Sequence, residues 1–189
     1  MILIINNGGQ YVHRIHRSLR YLGVTSKIVP NTIPLSDIEK KDEIKGIILS
    51  GGPDIEKASS CKDIILNSKV PILGICLGHQ LIAKAYNGVI ERAEMEEYAH
   101  TKIYIKKKDK LFENIPSPFI AWASHKDEVK VPPKSFEILA YSDICDVEAM
   151  KHLEKPIYGV QFHPEVAHTE YGSEILKNFC EICGISFKD

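Results

Sequence analysis

A short apolar run that ends in a cysteine between two glycines constrains this chain more than any other stretch. Residues 71–75 have the pattern of a buried strand, and a helical pattern begins directly after Cys76. A strand, a tight turn and a helix in this order form an elbow, and Gly74 and Gly78 let the neighbouring elements approach closely. A cysteine at a helix N-terminus is favoured as its thiolate, which indicates a nucleophile. The alternative is a buried cysteine that only packs.

The first half of the chain alternates between strand and helix patterns. Apolar strands are predicted at residues 1–5, 27–29, 46–49 and 71–75, and helices at 10–22, 35–40, 61–67 and 77–86. This alternation predicts an α/β fold with an open, mostly parallel sheet. Ligands bind such sheets at the carboxyl ends of the strands, where residues 6–9, 50–53 and 76–80 fall.

After Gly88 the pattern changes to short strands joined by turns. Six are predicted, at residues 89–91, 101–105, 119–123, 128–131, 136–141 and 147–150. We expect them to form antiparallel additions to one side or end of the sheet. A buried strand at residues 156–162 and a helix at 170–183 follow. With 189 residues, the chain is expected to form a single domain, residues 1–189.

Composition excludes several classes of protein. The 24 Lys and Arg nearly balance the 25 Asp and Glu, so no strong charge indicates a nucleic-acid or membrane partner. The longest apolar runs are much shorter than a membrane span, and we expect a cytoplasmic protein. Its five cysteines are scattered, which favours free thiols. Cys180 and Cys183 form a C-x-x-C pattern, which we interpret as structural rather than as a redox or zinc site.

A histidine and a glutamate follow the last predicted strand. Residues i and i+2 of extended backbone point to the same side, so His163 and Glu165 are expected to face one cleft. Pro164 between them disfavours helix at His163. A base oriented by a carboxylate is what a cysteine nucleophile requires. The alternative is a surface or capping histidine at a strand end.

Acyl transfer at a cysteine also needs hydrogen-bond donors for the oxyanion. The backbone N–H of Leu77, directly after Cys76, is one candidate. A second is expected from the turn that follows the neighbouring strand. Because Pro53 has no N–H, this donor must be Gly51 or Gly52.

Residues 50–53, 74–80 and 159–165 together resemble the three motifs of class I (triad) glutamine amidotransferases, in order and in spacing. The resemblance covers nearly the whole chain. It implies a flavodoxin-like sheet with helices on both faces, and hydrolysis of glutamine to glutamate and ammonia. By position, it implies that Cys76 is the nucleophile, that His163 is the base and then the acid, and that Glu165 is the orienting carboxylate.

The resemblance implies further site residues. Gly52 and Leu77 would form the oxyanion hole. Four residues are predicted to bind or border the substrate glutamine: Gly51, Gln80, Ser124 and His125. His79 matches no base position of the family and is predicted to pack or to form a hydrogen bond. No metal site is predicted.

Local features resemble the branch of this family that serves GMP synthesis. Residues 50–53 read Ser-Gly-Gly-Pro, whereas anthranilate and aminodeoxychorismate synthases more often have Gly-Pro-Gly at this strand end. Residues 122–127 resemble the Ser-His-x-Asp segment of that branch, although Lys126 replaces its usual glycine. Lys126 and Asp127 are expected to face a synthetase.

The resemblance also implies a partner. The sequence has no phosphate-binding loop for ATP, and it ends at Asp189, where fused members of the branch continue into an ATP-pyrophosphatase domain. We therefore expect a heterodimer with a separate ATP-pyrophosphatase (synthetase) subunit that uses Mg-ATP to aminate XMP, and no cofactor in this chain. The alternatives are a glutaminase subunit of anthranilate or aminodeoxychorismate synthase, and a catalytically silent regulatory module of the same fold.

Overall fold

Residues 1–58 and 60–187 are described by this computed structural model. Their strands are β1 (Ile2–Asn6), β2 (Ser26–Pro30), β3 (Gly46–Leu49), β4 (Ile72–Ile75), β5 (Val89–Ile105), β6 (Phe119–Val131), β7 (Phe136–Tyr141), β8 (Ala149–His152) and β9 (Ile157–Val160). Their α-helices are α1 (Val12–Tyr21), α2 (Leu35–Glu39), α3 (Cys61–Asn67), α4 (Leu77–Ala85) and α5 (Gly172–Ile182). The strands form one sheet in the order β2-β1-β3-β4-β9-β8-β7-β5-β6.

Five parallel strands, β2-β1-β3-β4-β9, form one half of the sheet. Alternate side chains of β1 enter two separate cores. Ile2 and Ile4 pack on the face covered by α1 and α5, whereas Leu3 and Ile5 pack on the face covered by α2, α3 and α4. Strands covered on both faces are apolar throughout, as the sequence indicated. The predicted flavodoxin-like, mostly parallel sheet with helices on both faces is confirmed.

Antiparallel strands extend this sheet beyond β9, also as predicted. The prediction was wrong in one respect, because four of the expected short strands are parts of two long ones, β5 and β6. Arg92 pairs with Asp127 and Glu97 pairs with His125, so β5 carries extra residues at this point. Such a bulge interrupts the alternation of apolar and polar residues without ending the strand, and the sequence pattern therefore looked like a turn.

The C-x-x-C cysteines lie at the end of α5. Both thiols are buried in the core on the α1 and α5 face. Burial raises the pKa of Cys180 to about 12 and also raises that of Cys183. No helix in the described residues is long and apolar enough to cross a membrane.

Candidate active site

The turn between β4 and α4 holds Cys76 in a conformation that few L residues adopt. Its φ is 53° and its ψ is −105°. The Cys76 backbone N–H donates to the carbonyl oxygen of Val160 on β9 (2.9 Å), and Leu77 begins α4. Positive φ at a non-glycine residue is strained and persists only where the surrounding structure imposes it. The elbow predicted from the sequence is therefore present, with Cys76 at its turn.

Backbone packing around the elbow explains its two glycines. A Cβ on Gly74 would come within 3.0 Å of the Gly78 backbone, and a Cβ on Gly78 would meet the Leu49 carbonyl equally closely. Backbone atoms held in a sheet and a helix cannot rotate away as a side chain can. Glycine at both positions thus brings β3, β4 and α4 together, so that Cys76 projects beyond the sheet edge.

His163 and Glu165 follow β9 and form a buried pair. His163 Nδ1 lies 2.8 Å from Glu165 Oε1. The backbone of His163 is fixed at both ends, because its N–H donates to the Trp122 carbonyl (2.9 Å) and its carbonyl accepts from Thr169 Oγ1 (2.6 Å). The imidazole also packs edge-on against the Tyr11 ring. His163 therefore has one orientation, with Nε2 free of the carboxylate.

The surroundings of His163 favour its cationic form. Burial of the imidazole lowers the pKa of His163, but the negative charge of Glu165 and the interaction with the Cys76 thiol raise it, and the result lies well above the usual value. A protonated imidazole next to Cys76 stabilises negative charge on the sulfur. The arrangement suits a cysteine nucleophile with a histidine partner.

Cys76 and His163 open into one cavity of about 330 Å³ at the carboxyl edge of the parallel strands. Ser124 and Gly52 also line it. Gly51 lies between the two reactive side chains, because a Cβ there would be 3.3 Å from His163 Cε1 and 3.6 Å from the Cys76 Cβ. Three segments far apart in sequence thus meet at one place.

The loop after β1 forms a wall of the cavity, at the sheet edge where residues 6–9 were expected, although none of its residues was predicted to bind glutamine. The cavity is also lined by Gly8, Gly9, Gln10, Tyr11 and Pro53. The available signal was the position of this loop at the carboxyl end of a parallel strand. Asn7 joins the loop to the 50–53 turn, since its N–H donates to Ser50 Oγ (2.9 Å) and its side-chain amide donates to the Ser50 carbonyl (3.1 Å).

The backbone N–H of Gly51 has no hydrogen-bond partner within the described part of the chain, and the same is true of the Gly52 and Leu77 N–H groups near Cys76. A Cβ at Gly52 would collide with the Asn7 carbonyl oxygen and with the Leu77 side chain, so the 50–53 turn packs directly against the elbow. These N–H groups are accordingly available to an oxyanion.

Two predicted substrate-binding side chains do not line the cavity. Gln80 Nε2 donates to the Asp127 carbonyl (2.8 Å) and to Gln161 Oε1 (3.2 Å). His125 Nε2 lies 2.5 Å from Glu97 Oε2, and its Nδ1 lies 2.8 Å from the Asp127 carbonyl. Both side chains are directed into the protein interior, so contact of either with glutamine stays a prediction.

His79 packs behind the elbow. It is fully buried against Gly159, and its Nε2 lies 3.1 Å from the Val147 carbonyl. Burial lowers the pKa of His79 to about 3, which keeps the ring neutral. This position agrees with a packing and hydrogen-bonding residue.

The sequence model of the class-I glutamine amidotransferase family matches residues 3–183. The chain therefore belongs to this family. The placement of Cys76 and the His163–Glu165 pair at one cavity is consistent with that membership.

Particular relatives are similar over their full length. The glutamine-hydrolysing GMP synthase subunit of Methanococcus aeolicus is 74% identical, with 98% of each chain covered. The subunit of the same name from Methanocaldococcus jannaschii is 73% identical, with 100% of each chain covered. A crystal structure of a putative GMP synthase subunit from Thermoplasma acidophilum has a TM-score of 0.91 and 41% identity, and it covers 97% of this chain and 93% of that one.

Proposed function

We propose that this chain is the glutamine-hydrolysing subunit of a two-subunit GMP synthase. The proposal rests on one observation: Cys76 lines the same cavity as His163, and His163 is paired with Glu165. The relatives named above support the assignment to GMP synthesis. The ammonia serves a separate ATP-pyrophosphatase subunit, which uses Mg-ATP to aminate XMP, and this chain itself needs no cofactor. A cytoplasmic location is part of the proposal, supported by the five free cysteines.

Glutamine hydrolysis begins at the sulfur of Cys76. The sulfur attacks the side-chain amide carbon, a C–S bond forms, and the carbonyl electron pair moves to oxygen. The resulting oxyanion accepts hydrogen bonds from the N–H groups of Gly52 and Leu77. His163 accepts the thiol proton, and Glu165 stabilises the resulting imidazolium through Nδ1.

Collapse of this intermediate releases ammonia. His163 gives its proton to the leaving nitrogen, the C–N bond breaks, and a thioester remains on Cys76. A water molecule then attacks the thioester carbon and gives a proton to His163, and the C–S bond breaks to release glutamate. Ser124 lines the cavity and Gly51 lies beside Cys76 and His163, and both position the glutamine side chain.

Reconstitution with the ATP-pyrophosphatase subunit tests the proposal. We expect little ammonia release from glutamine by this chain alone, and a rise when the partner holds XMP and Mg-ATP. The physical reason is linkage, since a loaded partner raises activity if it binds the active conformation more tightly. Ammonia and GMP are measured together.

Two outcomes would contradict the proposal in different ways. Glutamine hydrolysis that is the same with and without XMP and Mg-ATP would leave the glutaminase chemistry intact and make the assigned synthetase wrong. Absence of hydrolysis under every condition would favour a catalytically silent module of the same fold.

A further inference from the structure

Gln161 lies fully buried behind the nucleophile, and none of the steps above uses it. Its side-chain Nε2 is 3.7 Å from the sulfur of Cys76, which is hydrogen-bond distance for a sulfur acceptor. Its backbone N–H donates to the Glu148 carbonyl (2.8 Å) and holds the main chain beside β8. The amide therefore approaches the reacting atom from the protein interior.

The hydrogen bonds of Gln80 determine which end of the Gln161 amide faces the sulfur. The Asp127 carbonyl only accepts hydrogen bonds, so the Gln80 atom 2.8 Å from it must be the amide nitrogen. The second proton of that nitrogen points to Gln161 at 3.2 Å, and the atom that accepts it must be oxygen. The remaining end of the Gln161 amide, directed at Cys76, is consequently the NH₂ group.

A hydrogen-bond donor at this position stabilises the thiolate form of Cys76 more than the thiol form. As a thiol, Cys76 has a second partner, the Ser124 carbonyl at 3.8 Å, which accepts the S–H proton. As a thiolate, Cys76 loses that hydrogen bond, whereas the bond from Gln161 becomes charge-assisted and stronger. A hydrogen bond made to the charged form favours that form.

We infer that Gln161 is a further catalytic residue, which donates a hydrogen bond to the Cys76 thiolate, and that Gln80 is the positioning residue that orients its amide. The inference rests on the proposed role of Cys76 as nucleophile. The donor acts twice in each cycle. It stabilises the thiolate before attack on glutamine, and it stabilises the same thiolate when it leaves the thioester.

The variant Gln161→Leu tests this inference with a probe that does not depend on glutamine binding. Iodoacetamide alkylates a thiolate and is too small to report on the glutamine pocket. We expect alkylation of Cys76 at neutral pH to slow by about tenfold or more, the order expected for a lost hydrogen bond to a charged group. In the complex with the synthetase subunit, kcat for glutamine hydrolysis should fall by a similar factor while KM changes little.

Two further variants make the test specific. Gln161→Glu keeps the shape of the side chain but directs an oxygen at the sulfur, and it should slow alkylation more than Gln161→Leu does. The matched control is Asn178→Leu, because Asn178 is also a buried amide with two donated hydrogen bonds, but its acceptors are the Leu111 and Glu113 carbonyls. In this control variant, iodoacetamide should alkylate Cys76 at the wild-type rate.

Alkylation at the wild-type rate in Gln161→Leu and Gln161→Glu would overturn the inference, as would a rise in KM with unchanged alkylation and kcat. If the wild-type complex hydrolyses no glutamine, the proposed function fails, while slower alkylation of the Gln161 variants would still support the hydrogen bond to the thiolate.

Discussion

Replacement of Cys76 by alanine is expected to abolish glutamine hydrolysis and to leave GMP formation from added ammonia intact. The variant removes the only atom that forms the thioester, so hydrolysis should fall by roughly 10⁴-fold or more. Because the Cys76 side chain lines a cavity at the sheet edge, we expect its truncation to leave the fold intact. Ammonia release from glutamine and GMP formation from ammonium are measured on the same complex.

Cys180→Ala is the matched control for this variant. Cys180 is also a buried thiol, but it lies on α5 within the core. It should keep full glutamine-dependent activity. Glutamine hydrolysis that persists in Cys76→Ala would refute the role of Cys76 as the nucleophile. Loss of ammonia-dependent GMP formation would show instead that the substitution disturbs the complex.

Gly74→Ala is expected to destabilise the fold by about 3 kcal/mol, at the upper end of the range for overpacking. The added Cβ would come within 3.0 Å of backbone atoms of Gly78, and neither β4 nor α4 can move aside without disturbing β3. The free energy of unfolding, measured by chemical denaturation, gives the effect.

A second glycine-to-alanine variant, at a position without close neighbours, distinguishes this steric cost from the cost of backbone strain. Gly184 has a φ of 78°, and no atom lies within 4 Å of the position that a Cβ would occupy there. Gly184→Ala should therefore lower the free energy of unfolding only by the strain of a left-handed residue, about 1 kcal/mol. Equal losses of stability in Gly74→Ala and Gly184→Ala would contradict the packing argument for the elbow.

The parallel half of the sheet and the elbow were predictable because their signals are local. A continuous apolar run identifies a strand covered on both faces, and the spacing of Gly74, Cys76 and Gly78 reflects contacts between adjacent elements. The pairing of His163 with Glu165 was predicted from the period of extended backbone, but the structure achieves it differently. Pro164 and Glu165 lie in a turn that is closed by a hydrogen bond from the Val166 N–H to the His163 carbonyl (3.3 Å).

Contacts between distant segments were not predictable in the same way. The bulge in β5 depends on how its residues pair with β6, and no local pattern encodes that register. The amide of Gln161 looked like part of a buried strand, and its direction is set by Gln80, which lies 81 positions earlier. The inward orientation of His125 likewise depends on Glu97 from the neighbouring strand.

Labelling with an electrophilic glutamine analogue tests most directly that glutamine reacts at Cys76. The other four thiols are buried, and burial raises the pKa of each, to about 11 for Cys61 and about 12 for Cys180, and upward also for Cys145 and Cys183. Peptide mapping of the complex loaded with XMP and Mg-ATP should therefore find the label on Cys76 alone, and glutamine should prevent it. Label on another cysteine, or labelling that glutamine does not slow, would contradict the proposed active site.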